Sequence, residues 1–418
     1  MESSRQARAA QILTPLQTNV LVVAGEPIGI PGGQDQTYPY VAHPHYYWLS
    51  GCRRPGGVLA FDPNEGWSDF RAPISQAERV WEGADGEAGG LDLAGLPAWL
   101  EKRSNRPLAV VGATHPGVAG DPKRSQQVCR EIQHLRRPKD AGEVAMVARA
   151  VEASARGYAR LSEWIQPGVS EREVAIRLES EFFLGGADGT GYGTIVGSGA
   201  NSAVLHWPAS GRRMAAGELV LIDAGGCIEG YTADITRVYP VDGQWNERQR
   251  DLHAVLLQAQ IQAVEGCQIG VEWGDLHVRT ARQLAEGLRS LGILNCSPDE
   301  AVESEAIALF FPHGLGHMLG LGVRDASGLA PGRHEVRTFA GARLRMDLPL
   351  EADYLVTVEP GLYFIPALLH DAEKRTRHQS RVHWDALEPW IELGGMRIED
   401  NVLVTASGPR NLTSAIPK

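Results

Sequence analysis

Runs of apolar residues alternate with polar, Gly/Pro-rich turns in the first third of the chain. The segments Asn19–Ala24, Gly57–Phe61 and Leu108–Val111 have the length and the turn flanks of buried strands. We predict helices over Leu91–Lys102 and Ser125–Leu135, between or after these strands. Strands that alternate with helices indicate a small α/β domain.

The pattern changes near residue 137, where helical spacing of apolar residues begins in RRPKDAGEVAMVARAVEASARGYARL. Capping boxes, in which an N-cap side chain and a Glu or Gln three residues later exchange hydrogen bonds, open helices here and further on. They are Asp140 with Glu143, Ser170 with Glu173, and Asn246 with Gln249. We therefore predict an N-terminal α/β domain over residues 1–137 and a second domain over residues 138–418.

Two pairs of apolar, strand-like segments in the second domain each contain two acidic residues. Glu218–Ala224 and Thr232–Tyr239 flank turn residues and predict a hairpin, and Tyr354–Val358 with Arg397–Thr405 predicts another β pair. The acidic residues lie in LIDAG and TADITR, and in VTVEPG and MRIEDN. This weak duplication of arrangement predicts two related halves that face each other across one site.

The four acidic residues of these strands are Asp223, Asp234, Glu359 and Glu399. A single Asp in a strand commonly ends the strand or accepts backbone hydrogen bonds. Four converging carboxylates repel one another, so some must be protonated or a cation must neutralise them. Burying such a cluster for stability alone would be costly.

The segment PHGLGHMLG adds two histidines, and its glycines make a continuous helix across them improbable. We predict that one of these histidines is a metal ligand. An oxygen-rich set with one imidazole favours Mn²⁺ or Co²⁺, without excluding Zn²⁺. Four carboxylates exceed the needs of one ion, and two ions would use them all in a hydrolytic centre.

Composition narrows the remaining classes of function. With 40 Lys and Arg against 51 Asp and Glu, the net charge of −11 argues against a phosphate-binding surface and a nucleic-acid partner. Five scattered cysteines without a CxxC pair indicate neither a disulfide framework nor a thiolate zinc site. No apolar run is long enough to cross a membrane, and the first residues lack a signal-peptide core, so we expect a cytoplasmic protein.

The motifs VLHWP, LIDAGG…GYTADITRVYP, FFPHGLGHMLGLGVRD, LVTVEPGLYFI and GGMRIEDNVLVT occur in this order. Together they resemble the Xaa-Pro dipeptidases, or prolidases, of the pita-bread metallopeptidases, family M24. The N-terminal TYPYVAHPHYYWLSG is similar to bacterial prolidases and organophosphorus acid anhydrolases. The resemblance implies a creatinase-like α/β N-terminal domain followed by an α+β pita-bread catalytic domain.

The resemblance also implies a role for each metal ligand. Asp223 matches a residue that holds one ion, Asp234 and Glu399 match residues that bridge both ions, and His317 and Glu359 match ligands of the second ion. The resemblance further implies that hydroxide supplied by the metal centre would attack the carbonyl before proline, and that Glu359 would pass the proton to the leaving nitrogen. The implied cofactor is a pair of divalent ions, manganese first, with cobalt or zinc as alternatives.

Other positions match the substrate pocket of the family. His206 and His313 match pocket histidines, for which we expect catalytic roles, and His206 is also expected to bind substrate. Arg397 lies two residues before Glu399 and points the same way along a strand, so we predict that it contacts substrate or an acidic ligand. Tyr231 is a further candidate for substrate binding.

Two arginines bear on substrate choice. Arg345 precedes Glu359 by fourteen residues, where prolidases carry an arginine that binds the carboxylate of a C-terminal proline. A second family arginine in that stretch is replaced by Leu348. Arg324 stands in VRD where the family has a histidine that contacts substrate, and we expect Arg324 to bind substrate with altered specificity or rate.

These observations predict a binuclear hydrolase that cleaves Xaa-Pro dipeptides and, as the family implies, forms a homodimer. One alternative is an Xaa-Pro aminopeptidase that acts on longer peptides, and another is an organophosphorus acid anhydrolase side activity. An alternative of a different class is a catalytically degenerate pita-bread binding protein, which Arg324 alone supports.

Overall fold

A computed structural model describes residues 2–85 and 89–418. The chain divides into two compact units, Met1–Arg136 and Arg137–Lys418. None of the helices in the described part of the chain combines the length and apolar character that a membrane span requires.

The first unit is a mixed β-sheet with helices. Its strands are β1 (Asn19–Val23), β2 (Val58–Asp62), β3 (Gly66–Arg71), β4 (Leu91–Asp92) and β5 (Leu108–Gly112). Their order is β4-β3-β2-β1-β5, with β1 antiparallel to β2 and parallel to β5. The helices are α1 (Glu2–Leu13), α2 (Pro44–Ser50), α3 (Gln76–Trp81), α4 (Leu96–Glu101) and α5 (Pro122–Arg136).

One helix of this unit is shorter than the sequence predicts. The helix expected over Leu91–Lys102 starts only at Leu96, because Leu91–Asp92 pairs with β3 instead. The Asp92 side chain then accepts the Ala94 N–H and caps a 3-10 turn that precedes the helix. Tertiary pairing with the sheet edge therefore overrides the helical spacing of this segment.

The second unit contains both long and short helices. They are α6 (Ala141–Tyr158), α7 (Leu161–Trp164), α8 (Glu171–Leu184), α9 (Glu247–Glu265), α10 (Trp273–Ser290), α11 (Pro298–Glu303), α12 (Pro366–Leu369), α13 (Ala372–Arg377) and α14 (Glu388–Leu393). The three predicted capping boxes are confirmed at the starts of α6, α8 and α9. Helix α6 packs on α8, and α9 packs on α10.

Short strands make up the rest of this unit. They are β6 (Gly189–Thr190), β7 (Ile195–Ser198), β8 (Leu219–Asp223), β9 (Gly226–Ile228), β10 (Tyr231–Thr232), β11 (Thr236–Pro240), β12 (Gly328–Leu329), β13 (Thr338–Phe339), β14 (Ala342–Arg343), β15 (Met346–Asp347), β16 (Leu355–Val358), β17 (Gly361–Tyr363), β18 (Gly395–Arg397), β19 (Asp400–Thr405) and β20 (Gly408–Asn411).

The predicted duplication appears as two sets of antiparallel pairs. In the first half-site β8 pairs with β11, and the short hairpin β9–β10 lies between them. In the second half-site β16 pairs with β19, and β17 pairs with β18. The single strand expected over Arg397–Thr405 is therefore divided between β18 and β19, and Ile398 and Glu399 lie between the two strands. An isolated bridge between Thr236 and Glu399 connects the half-sites.

Candidate metal centre and its cavity

The four acidic residues lie where these strands end or begin. Asp223 is the last residue of β8, and Asp234 lies between β10 and β11. Glu359 directly follows β16, and Glu399 directly precedes β19. All four line one cavity of about 700 Å³ within the second unit. The strand pairs therefore bring together the carboxylates that the sequence predicts to converge.

The tightest group is Asp234, His317 and Glu399, whose candidate ligand atoms lie within 4.8 Å of one another. His317 Nε2 is 3.4 Å from Asp234 Oδ2 and 3.7 Å from Glu359 Oε1. The other ring nitrogen, Nδ1, donates to the Met318 carbonyl at 3.0 Å. This bond directs the Nε2 lone pair at the carboxylates, as in metal-ligating histidines.

A close approach of backbones positions His317. Its N–H donates to Thr357 Oγ1 at 3.0 Å, and its carbonyl accepts the Thr357 N–H at 2.9 Å. A Cβ atom on the preceding Gly316 would come within 2.1 Å of the Thr357 carbonyl oxygen. Glycine is needed here so that the His317 segment can lie against β16. No continuous helix crosses His313 and His317, as predicted.

Asp223 has a different set of partners. Its Oδ1 accepts the Tyr192 hydroxyl at 2.5 Å, and its Oδ2 accepts the Arg397 guanidinium in a buried ion pair. Arg397 Nε also donates to Thr236 Oγ1 at 3.1 Å, and Thr236 in turn donates to Glu399 at 2.6 Å. Arg397 therefore contacts an acidic residue, which is one of the two outcomes predicted for it.

The carboxylates are held in an unfavourable electrostatic setting. Burial raises the pKa of Glu399 well above its usual value, and Asp234 and Glu359 raise it further. Burial also raises the pKa of Glu359 to about 6, and that of Asp223 despite the opposing Arg397. Buried acids with raised pKa values gain most from a nearby cation.

The residues therefore fit a divalent metal. Three buried ligand groups converge, His317 points its Nε2 at the carboxyl groups, and the four carboxyl groups of the cavity outnumber the Arg397 guanidinium. Carboxylate oxygens with one imidazole are ligands suited to Mn²⁺, Co²⁺ or Zn²⁺. Asp223 and Glu359 lie on the wall of the same cavity and complete the predicted set of five.

The cavity also collects most of the predicted substrate residues. His206, His313, Arg324, Arg345 and Arg397 all line it. His206 makes no side-chain hydrogen bond with a described residue, so its ring is available to a ligand. Burial, followed by the charges of Arg324 and Arg397, lowers its pKa and keeps the ring neutral at pH 7.

Tyr231 corrects one sequence expectation, because it is not among the described residues that line the cavity. Its hydroxyl donates to Glu143 Oε1 at 3.2 Å in the interior. An aromatic residue in a strand often packs rather than binds, and here Tyr231 ties β10 to α6.

His313 is more constrained than the sequence suggests. Its Nδ1 donates to the Gly314 carbonyl at 2.8 Å, so Nε2 accepts the Tyr363 hydroxyl at 3.1 Å. The Tyr363 oxygen accepts from Arg397 Nη1 at 2.8 Å. Burial lowers the pKa of His313 to about 3, so the ring is neutral and both nitrogens are engaged.

Sequence reasoning missed several residues that touch the site. Thr357 donates to Glu359 at 3.3 Å, and strand alternation could have indicated it, because the two residues are two apart. Asn401 fixes the backbone of Asp234 through its side-chain oxygen and nitrogen. Tyr192 and Arg343 line the cavity, and Tyr363 contacts it through His313. No local pattern marks these three residues, since only the fold brings them there.

Comparison with known proteins decides the family. Residues 145–406 match the family model described as metallopeptidase family M24, and residues 4–90 match the N-terminal domain of aminopeptidase P. The chain belongs to metallopeptidase family M24. The comparison confirms the predicted fold class, an N-terminal α/β domain followed by a pita-bread catalytic domain, and the expectation of a metal-dependent hydrolase.

The relatives of this M24 peptidase cover nearly its whole length. A protein of Botryotinia fuckeliana named "Probable Xaa-Pro aminopeptidase pepP" is 31% identical over 91% of this chain and 86% of its own. The zinc-substituted aminopeptidase P of E. coli in complex with product is 27% identical, with a TM-score of 0.80 over 99% of this chain and 96% of its own. The Pseudomonas aeruginosa aminopeptidase PepP is 26% identical, with a TM-score of 0.79 over 100% and 96%.

These names bear on the substrate expected from the sequence. The relatives are named aminopeptidases, which favours the aminopeptidase alternative over the dipeptidase interpretation. The difference between the two activities depends on the cavity beyond the reacting bond. Metal ligands are shared by both, so motifs around the ligands cannot separate them.

Proposed function

We propose that this M24 peptidase is an Xaa-Pro aminopeptidase, which removes the first residue from peptides that have proline in second place. The observation that carries the proposal is the buried Asp234, His317 and Glu399 cluster, open to a cavity of about 700 Å³. The names of relatives that cover nearly the whole chain support the same activity. That volume lies in the upper half of the range of about 300–1,000 Å³ for ligand pockets, which suits a peptide longer than two residues.

The five acidic and histidine side chains would hold a pair of divalent ions, which when bound activate water and polarise the scissile carbonyl. Arg397 holds the Asp223 carboxyl group in place, and Thr236 orients Glu399. Glu359 Oε1 lies at the cavity with a pKa near 6, so this oxygen can take a proton from water and return it to the leaving nitrogen. His206, with its free ring, can donate to the substrate carbonyl.

The dipeptidase interpretation keeps one supporting observation. Arg345 lines the cavity, and a guanidinium there can bind the carboxylate of a C-terminal proline. If that bond dominated, Xaa-Pro dipeptides would be cleaved well and longer peptides poorly.

The test uses the full chain, stripped with a chelator and reloaded separately with Mn²⁺, Co²⁺ or Zn²⁺. We expect metal-dependent cleavage of Leu-Pro-Gly-Gly, slower cleavage of Leu-Pro, and none of the control Leu-Ala-Gly-Gly. Cleavage of Leu-Pro alone would restore the dipeptidase interpretation. Folded, metal-loaded protein that cleaves none of them would refute the proposal and favour a binding protein.

Manganese as the native metal and a homodimer as the assembly stay predictions. Elemental analysis of protein purified without added metal measures the first, and light scattering at several concentrations measures the second. Zinc in the purified protein, or a monomer at every concentration, would contradict them.

A further inference from the structure

Three arginines form a cationic wall in the cavity, outside the metal cluster: Arg324, Arg343 and Arg345. All three are exposed. Within residues 2–85 and 89–418, none of their guanidinium groups makes a hydrogen bond or an ion pair. The whole chain carries a net charge of −11, so this wall does not reflect a general excess of cations.

Neighbouring arginines of the same segment show that acidic partners are distributed selectively. Arg333 and Arg337 both bind the buried Asp347, at 2.9 and 2.7 Å, and Arg333 also binds Glu272 at 2.9 Å. Arg343 and Arg345 have no such partner in the described chain, although they lie only a few residues away. The fold thus neutralises the arginines outside the cavity and leaves those on its wall available.

Arg324 comes to the same wall from another segment. Its charge acts on the cavity residue His206, whose pKa is lowered by burial first and by Arg324 next. The next residue, Asp325, forms an ion pair with Lys139 at 2.9 Å, in which both side chains are fully buried. This buried ion pair holds the backbone of Arg324 in place.

The charge of the wall orients a peptide substrate. An Xaa-Pro peptide has only one residue before the scissile bond, so its terminal ammonium stays close to the metal cluster. Three guanidinium groups repel an ammonium and attract carboxylates, which they bind through paired N–H donors. The part of the peptide that leaves, from proline onward, therefore faces the wall.

We propose that Arg324, Arg343 and Arg345 select peptides that carry a carboxylate on the leaving side of the scissile bond, an inference that rests on the proposed aminopeptidase function. The carboxylate has two possible sources, namely an acidic side chain directly after proline and the C-terminus of a tripeptide. Both present the same group to the wall.

Three peptides separate these sources. Ala-Pro-Gln-amide carries no carboxylate, Ala-Pro-Glu-amide carries one on a side chain of matching shape, and Ala-Pro-Gln with a free C-terminus carries one on the backbone. We expect at least one of the acidic peptides to have a kcat/KM about 10-fold above the neutral amide, as charge-assisted hydrogen bonds allow. Raising the salt concentration should shrink this ratio.

Variants test whether the arginine wall causes the preference for peptides with a carboxylate. In Arg343→Gln/Arg345→Gln the ratio of acidic to neutral peptide should fall to about 2-fold or less. Arg337→Gln is the matched control, because it removes an exposed arginine of the same segment. Asp347 still has Arg333 as an ion-pair partner in this variant. The control should retain the ratio. Arg343→Glu should shift preference toward Ala-Pro-Lys-amide, a gain that misfolding cannot imitate.

The outcomes are distinct. Equal cleavage of all three peptides would refute the selectivity and leave the aminopeptidase proposal intact. If no peptide is cleaved, the proposed function fails. Calorimetry with Pro-Glu-amide and Pro-Gln-amide then tests separately whether the arginine wall binds a carboxylate. Tighter binding of Pro-Glu-amide, lost in Arg343→Gln/Arg345→Gln, supports carboxylate recognition, whereas equal binding overturns it.

Discussion

The two half-sites of the catalytic unit use matching strand pairs but hold their carboxylates differently. In the first, Asp223 at the end of β8 is clamped by Tyr192 and the Arg397 guanidinium. In the second, Glu359 after β16 has a neutral Thr357 hydroxyl at 3.3 Å and a histidine at 3.7 Å. The same backbone arrangement thus provides one carboxylate paired with a buried guanidinium and one that can exchange a proton near neutral pH.

We expect the largest effect from a substitution of Glu399, the carboxylate that lies between the two half-sites. Glu399→Gln removes a ligand charge at the bridge between half-sites, so we expect peptidase activity to fall at least about 10³-fold. The metal-free variant should nevertheless unfold at a higher temperature than wild type, because a buried, repelled carboxylate is gone. Activity assays and metal-free thermal unfolding measure the two effects, and unchanged activity would show that Glu399 is not a ligand.

The next change removes the cation that distinguishes the half-sites. Arg397→Gln leaves Asp223 buried without its ion-pair partner, which we expect to cost about 3–5 kcal/mol in the metal-free protein. Saturating metal should recover part of this loss, since it supplies positive charge to the same site. Urea unfolding with and without metal measures both. Arg345→Gln, an exposed control, should change stability by less than about 0.5 kcal/mol.

The pH dependence of stability sharpens the contrast at Glu359. Its pKa is about 6 in the folded chain against 4.5 ordinarily, so folding favours the protonated form. The stability that protonated Glu359 contributes is fully present below pH 4.5 and is lost as pH rises through 6. The loss lowers the free energy of unfolding by about 2 kcal/mol. Unfolding free energies of metal-free wild type and Glu359→Gln from pH 4 to 7.5 isolate it. A difference between the two proteins that does not vary with pH would contradict the assignment.

The smallest expected effect compares the two threonines. Thr236 donates to Glu399 at 2.6 Å, whereas Thr357 donates to Glu359 at 3.3 Å. We expect Thr236→Val to weaken metal binding about 10-fold and Thr357→Val to weaken it less. Competition with a fluorescent chelator gives both affinities, and an equal or reversed order would mean that the ligands are oriented by other contacts.

Some features of the chain could be predicted from local patterns. The capping boxes of α6, α8 and α9 are formed by residues three apart, so whether they form does not depend on distant packing. The four strand carboxylates could be singled out because burying acidic groups in apolar strands is costly, and PHGLGHMLG offered one histidine beside them without saying which. The resemblance to M24 peptidases implied a metal-binding role for these four residues and for His317. The structure places all five side chains on one cavity.

Other features were wrong or invisible in the sequence. The helix predicted from Leu91 failed because pairing at a sheet edge competes with helical spacing. Tyr231 was expected in the pocket, but it packs and donates to Glu143 instead. The distinction between dipeptidase and aminopeptidase could not be made from the ligand motifs, because both activities use them.

The sequence by itself determined which acidic residues are candidate metal ligands and which strands carry them, because apolar alternation and Asp or Glu in buried runs are local properties. Only the tertiary structure decided which charges are neutralised. Arg397 meets Asp223 across 174 residues of chain, and Arg333 and Arg337 find Asp347 while Arg343 and Arg345 face the cavity without an acidic partner in the described chain. Charge pairing depends on distances of a few ångströms between distant segments, which spacing along the chain does not encode.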